Sequence, residues 1–306
     1  MDGGSIVRLL ALAALWGGSF AFIRVAVPAL GPVWLAWARV SLAFVALFAV
    51  ALVRRDLPAL STHWRGYLIL GAVNAALPFA LYTFAEQYIT ASMAAILNAT
   101  SPFFGALGAA IWLGEPLGTR RLAGMGLGLA GVALLVGWQP EPWSIGLIAG
   151  IAACLGAALC YGAGGVYAKA RMSSAPSFAI ALYTLLAASI VLAPGLALAP
   201  LPATPTPMVA ANVLALALAA TAAAFLLYFR LIRDVGPSRA LTVTFLIPPF
   251  GLLWGVAFLD EKLTANTLSE CALILAGTWF ALRGRSLRSD SRRGAPPQRR
   301  RIPSAR

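Results

Sequence analysis

Charged and hydrogen-bonding side chains set within apolar runs are the residues of this chain best able to do chemistry. Arg39 lies about seven residues into such a run, roughly 10 Å along a helix, where a guanidinium is costly unless it is paired or binds an anion. Two partners fit: an anionic group from outside the protein, or Glu270, which sits at similar depth in a later run. Glu270 is also the acid best placed to take up and release a proton, whereas Glu86 reads as near a surface and Arg24 as snorkelling from the end of its run. Asn98, Thr100 and Ser101 precede Pro102, and Thr242 and Thr244 precede Pro248. Such polar groups could line an internal path or tie helices together. The two prolines read as lying inside helices, where each would free a backbone carbonyl and bend the run, either to shape a cavity or as a static kink. Trp16, Tyr82 and Tyr161 could line a cavity for an amphipathic solute, or belong to the aromatic belts at membrane interfaces. Glu115 and Glu261 each close an apolar run and suit the capping of a following helix, a pair with a nearby cation, or a gate.

Nothing in the sequence points to covalent chemistry. His63 is the single histidine and falls in a charged segment, and Cys154, Cys160 and Cys271 sit in apolar stretches without metal-ligand spacing. No nucleophile triad or phosphate-binding loop is spelled out. The expectation is therefore no enzyme, no cofactor and no bound metal.

The elements that would carry these residues follow from composition. Apolar residues make up 60% of 306 positions and charged residues 11%, with a mean hydropathy of +0.84, against about 25% charge in a soluble domain. Lipid must then be the solvent for most of the chain. With about 20 apolar residues needed per crossing, spans fall near 6–27, 32–53, 65–86, 90–113, 120–138, 144–168, 176–199, 208–232, 238–259 and 265–283. The fold class expected is an all-α integral membrane protein with ten transmembrane helices. An even number of spans puts both termini on one face, and that face then carries 20 of the 23 Lys and Arg. The opposite loops hold Lys262 alone, and Arg24 and Arg39 fall inside spans. Cations are retained on the cytoplasmic side, so both termini are expected there. The same pattern explains the net charge of +13 without nucleic acid as a partner. Nine arginines in 283–306 make the tail a basic, disordered segment suited to anionic lipid head groups.

The halves repeat. At an offset of 146, residues 102–117 face 248–263 with seven identities in sixteen positions, among them Pro102 with Pro248 and Glu115 with Glu261. Asn98 falls opposite Thr244, and, at 145, Trp16-Gly17 opposite Tyr161-Gly162. Five spans per copy is an odd number, so the second copy enters the membrane inverted. Residues 1–140 are expected to form the first five-helix repeat, 141–283 the second, and 284–306 the tail. Inverted repeats are a recurrent plan of secondary transporters, with the site at the repeat interface.

These residues carry a family resemblance. The chain resembles the drug/metabolite transporter superfamily in its ten-helix EamA-type branch. The first copy reads Leu15-Trp16-Gly17-Gly18-Ser19-Phe20, Ala38-Arg39, then 91–102 as ASMAAILNATSP and Leu113-Gly114-Glu115; the second repeats Ser238, Ala240, Pro248 and Glu261. The resemblance implies export or exchange of small metabolites, such as amino acids or related compounds, by a multi-pass protein of the bacterial inner membrane. Two departures weaken a symmetric role for the motif residues: Trp-Gly becomes Tyr161-Gly162, and Arg39 becomes Tyr183. Competing readings are a flippase for a lipid-linked substrate, a membrane enzyme and a non-transporting scaffold. The expected partners are a small-molecule substrate and membrane lipid; oligomeric state is not legible.

Overall fold

The computed structural model describes residues 2–60, 63–137, 144–200, 203–235 and 241–283, and every regular element among them is helical. The tail, the expected boundary between the halves at residue 140, and Ser238 and Ala240 lie outside the described residues. Helix α1 is Gly3–Arg54; Trp64–Gly71 (α2) runs through a π-helical stretch, Ala72–Ala76, into Leu77–Ala85 (α3). Then come Ala91–Asn98 (α4), Ser101–Leu113 (α5), Thr119–Gly137 (α6), Ile145–Arg171 (α7) and Ser177–Leu196 (α8). Pro207–Leu214 (α9) continues through a second π-helical stretch, Ala215–Ala223, into Ala224–Val235 (α10). A 3-10 turn at Leu241–Phe245 leads to Ile247–Leu259 (α11), and Ala265–Arg283 (α12) closes the described chain.

Among the described residues, six helices are long and apolar enough to cross a membrane. Two shorter apolar stretches, Leu122–Leu135 and Val243–Leu259, accompany them. Large apolar side chains such as Val53, Ile111, Ile145, Leu198 and Phe258 face outward at 71–91% exposure, as a lipid-facing surface requires.

At 1.5 Å per residue the 52 residues of α1 would run about 78 Å, far beyond one bilayer crossing. The run breaks at Gly31, flanked by Pro28 and Pro32, with φ 71° and ψ 163°, a conformation open to glycine and strained for other residues. The contacts show a reversal there. Arg8 meets Asp234 at 2.7 Å, the Ala29 carbonyl accepts from the Ala203 N–H, and Arg39 has returned to Thr221. The two arms, 3–30 and 32–54, therefore run in opposite directions, where the sequence pattern placed two separate spans.

Helix starts are well signed. Asp2, Thr90, Ser144 and Thr206 each accept a first-turn N–H from Ser5, Met93, Leu147 and Val209, satisfying donors that the helix itself leaves unpaired. The prolines differ from expectation. Pro102 and Pro248 do not kink continuous helices; each sits in the first turn of a helix that restarts after a break, α5 and α11. A missing N–H costs nothing at that position, and the fixed φ already suits the helix.

Glycines set the closest approaches. A Cβ on Gly277 of α12 would stand 2.5 Å from the Gly128 nitrogen of α6, and one on Gly131 2.8 Å from Ile274. The small-residue face of α6 is thus a packing seam, as close helix association in lipid requires.

Candidate functional site

Several of the polar residues singled out above meet in one connected cluster. Arg39, 5% exposed, donates from Nε to Thr221 Oγ1 at 2.9 Å and lies over the Phe79 ring with 3.8 Å to its centroid. Phe79 packs edge-on against Tyr161, centroids 6.5 Å apart at 71°, and Tyr161 stacks on Tyr82 at 6.0 Å and 27°. The Tyr82 hydroxyl donates to Asn98 Oδ1 at 2.8 Å. Ser101 Oγ donates to the Asn98 carbonyl at 2.7 Å and approaches its Oδ1 at 3.4 Å. Arg39, Tyr161, Tyr82, Asn98 and Ser101 thus form a continuous path through α1, α7, α3, α4 and α5. Asn98, Ser101 and Tyr161 are half-buried.

The π-helical stretches explain two of the positions. A π turn leaves carbonyls without their regular donors. Thr221 answers this by donating its hydroxyl to the Leu216 carbonyl at 2.8 Å, and the same oxygen then accepts from Arg39. In the first stretch Asn74 faces Gly164 of α7; a Cβ there would stand 2.5 Å from Asn74 Oδ1. Both Thr221 and Phe79 were missed from sequence. Thr221 carried a signal, a hydroxyl in an otherwise apolar run, while Phe79 had none.

Arg39 is not paired with Glu270. Thr221 and Phe79 hold it, and Glu270, 3% exposed, lies on α12, which packs chiefly on α6. Among the described residues its Nε alone is engaged in a hydrogen bond, so the Nη groups are available to an anion. Arg24 does not snorkel: its Nη1 turns inward to the Glu86 main-chain carbonyl. Glu86 is not near a surface either; it is fully buried.

The remaining candidates fall around a related second site. Trp16 packs on Tyr228 with centroids 5.3 Å apart at 52°. Beside it, a Cβ on Gly17 would stand 2.7 Å from Phe250 Cβ and 2.9 Å from the Gly251 nitrogen of α11. The Tyr161 site has the same plan, with a Cβ on Gly162 2.6 Å from the Gly105 nitrogen of α5. Trp16, Tyr228, Gly17 and Gly251 correspond by offset to Tyr161, Tyr82, Gly162 and Gly105. Thr244 and Pro248 lie beside this second site, half-buried and buried; the Thr242 side chain is outside what the structure describes.

The glutamates take different partners. Glu261 accepts the Ala91 and Ser92 N–H groups at 2.8 and 3.0 Å. It therefore caps α4 from across the fold rather than the helix that follows it. Together with the Thr90 cap this satisfies three donors at one helix start and places a negative charge at the positive end of its dipole. Glu115 pairs with Lys169 at 2.5 Å. His63, half-buried, lies 3.2 Å from Ser174 Oγ. No group of His, Cys, Asp and Glu among the described residues is arranged to hold a metal ion.

Comparison with known proteins agrees in kind. The model of the EamA-like transporter family matches residues 4–137 and again 148–283. An uncharacterized transporter, YvbV, of Bacillus subtilis (strain 168) is 27% identical over 268 residues, covering 86% of this chain and 87% of that protein. A probable amino-acid metabolite efflux pump of Escherichia coli (strain K12) is 26% identical over 294 residues, covering 91% and 96%. A solved crystal structure aligns at a TM-score of 0.66 and 20% identity over 92% of this chain and 97% of its own, which shows a shared fold. The two relatives are named as a transporter and an efflux pump, not as enzymes.

Proposed function

We propose that this chain, which belongs to the EamA-like transporter family, exports or exchanges small carboxylate-bearing metabolites of the amino-acid kind across a bacterial inner membrane. One observation carries the choice of cargo: a buried arginine whose Nη groups have no protein acceptor among the described residues, set at one end of an aromatic and amide-lined path. Such a group matches a carboxylate in geometry and charge. Tyr82 and Tyr161 offer faces for an amphipathic body, and Asn98 and Ser101 offer donors and acceptors for an amine. The relative named as an amino-acid metabolite efflux pump supports the same class.

Alternating access is our reading of the mechanism. Two inverted five-helix repeats, 1–140 and 141–283, would expose the path to each side in turn. The exchange of partners supports this: Gly17 of the first half seats on Gly251 of the second, and Gly162 of the second on Gly105 of the first. A rigid-body rock about those seats would move the aromatic pairs relative to one another. The segregation of Lys and Arg supports cytoplasmic termini. Glu115 and Glu261, at related ends of α5 and α11, are both engaged here, and opening toward either side would release one of them.

Ligand-induced thermal stabilisation tests the site. A binder present at roughly one hundred times its Kd adds about 2.7 kcal/mol to stability. A panel of amino acids should raise the Tm of the purified protein for at least one member, and Asn98→Ala should abolish the rise. A shift that survives Asn98→Ala would place the ligand elsewhere.

A further inference from the structure

Glu86 stands at the end of α3, fully buried at 0% exposure, and neither carboxyl oxygen has a hydrogen-bond partner. Its main chain is held instead: the N–H donates to the Tyr82 carbonyl, and the carbonyl accepts from Arg24 Nη1. The charged and titratable groups facing it are Arg24 and Arg39 from α1, Glu261 from the segment after α11, Tyr82 from α3 itself and Cys154 from α7. Glu261 accepts from the start of α4 and offers Glu86 no donor. The guanidinium that could neutralise Glu86 is turned to its carbonyl, not its carboxyl.

An ionised carboxylate without a donor in a low-dielectric interior is costly, and taking up a proton removes the cost. The arrangement seen is therefore that of the neutral acid. Loss of the proton creates a charge one side chain away from Arg24, and the guanidinium would leave the carbonyl for the carboxylate. That exchange releases a bond joining the first arm of α1 to the end of α3, beside the Glu261 cap.

We propose that Glu86 is a proton-binding site whose occupancy decides whether Arg24 grips the end of α3 through its main chain or through its side chain. Resting on the transport reading above, it is the acid that couples proton movement to cargo movement, a role the sequence pattern assigned to Glu270. The step is a simple ionisation. The O–H bond breaks, the electron pair stays on the carboxylate, and the proton passes to water on the side to which the site has opened.

Infrared difference spectroscopy of the full chain in liposomes tests proton binding without any cargo. At neutral pH the wild-type protein should show the carbonyl-stretch band of a protonated carboxylic acid that accepts no strong hydrogen bond. The band should be lost in Glu86→Gln, shifted in Glu86→Asp, and kept in Glu270→Gln. The aspartate variant reports even if the glutamine variant fails to fold. A wild type without the band, or a band lost in Glu270→Gln instead, would overturn the proposal. Counterflow of amino acids under an imposed pH gradient then reads the coupling. The gradient should drive net movement in the wild type and lose that effect in Glu86→Gln while cargo exchange persists; gradient-driven movement that persists in Glu86→Gln would overturn the coupling role. If no wild-type flux is seen but the band behaves as stated, the proton site stands and the transport reading falls.

Discussion

The Tyr161–Tyr82 pair and the Trp16–Tyr228 pair each join one residue of the first matched segment to one of the second, at corresponding positions, but differ in what surrounds them. Both rest beside a glycine seat, Gly162 on Gly105 and Gly17 on Gly251. The first pair continues into Asn98 and Ser101 on one side and reaches Arg39 through Phe79 on the other. The second is bordered by the apolar cluster of Leu12, Ala13, Leu231 and Val243. At the position matching Arg39 stands Tyr183, buried in a separate apolar cluster, where it packs on Tyr67 and donates to the Pro58 carbonyl. The two sites share a backbone plan and differ in side-chain chemistry. Under the transport reading proposed above, the glycine seats would be the bearings between the halves, and the aromatic pair reached by Arg39 would be the one that binds a ligand.

The glycine seats should give the largest effect on stability if the halves are matched bodies. Gly162→Ala and Gly17→Ala each press a methyl group onto backbone or a Cβ at 2.6–2.7 Å. Overpacking of this kind costs about 1–3 kcal/mol. Thermal unfolding in detergent should show similar losses for the two variants; a large loss for one and none for the other would break the equivalence.

A smaller difference is expected at the glutamates. Glu261→Gln weakens an interaction with two helix-start donors and should cost about 0.5–2 kcal/mol. Lys169→Met removes the pair with Glu115, whose lysine side chain is 55% exposed, and should cost about 0–1 kcal/mol because solvent screens it. Paired unfolding measurements check the order; the reverse order would show that Glu261 is not a structural cap.

Much of the frame was legible in sequence, because hydropathy and turn residues report burial in lipid directly. The starts of α2, α4, α6, α7, α9 and α12 lie within a few residues of the spans read from the pattern. Asn98 and Ser101 stood out as polar groups in an apolar run, and Tyr82 as an aromatic residue. Pro102 misled because span-length hydropathy does not see a break of two residues, Ala99 and Thr100, that turns a kink into a helix start. Glu86 misled for a related reason. It ends the span read at 65–86 and so reads as near a surface, while the α1 and α7 helices that pack on α3 bury it. The partner of Arg39 could not be read either, since the π turn that presents Thr221 depends on the register of 215–223 and not on residue type alone.

Counterflow of labelled amino acids into liposomes preloaded with the same compound tests the binding role of Arg39 most directly. The wild-type protein should give saturable uptake, Tyr183→Phe should match it, and Arg39→Gln should fall by about 10–100-fold, the loss of one charge-assisted contact of about 1.5–3 kcal/mol. Uptake by Arg39→Gln equal to that of the wild type, or wild-type uptake no greater than in protein-free liposomes, would contradict it.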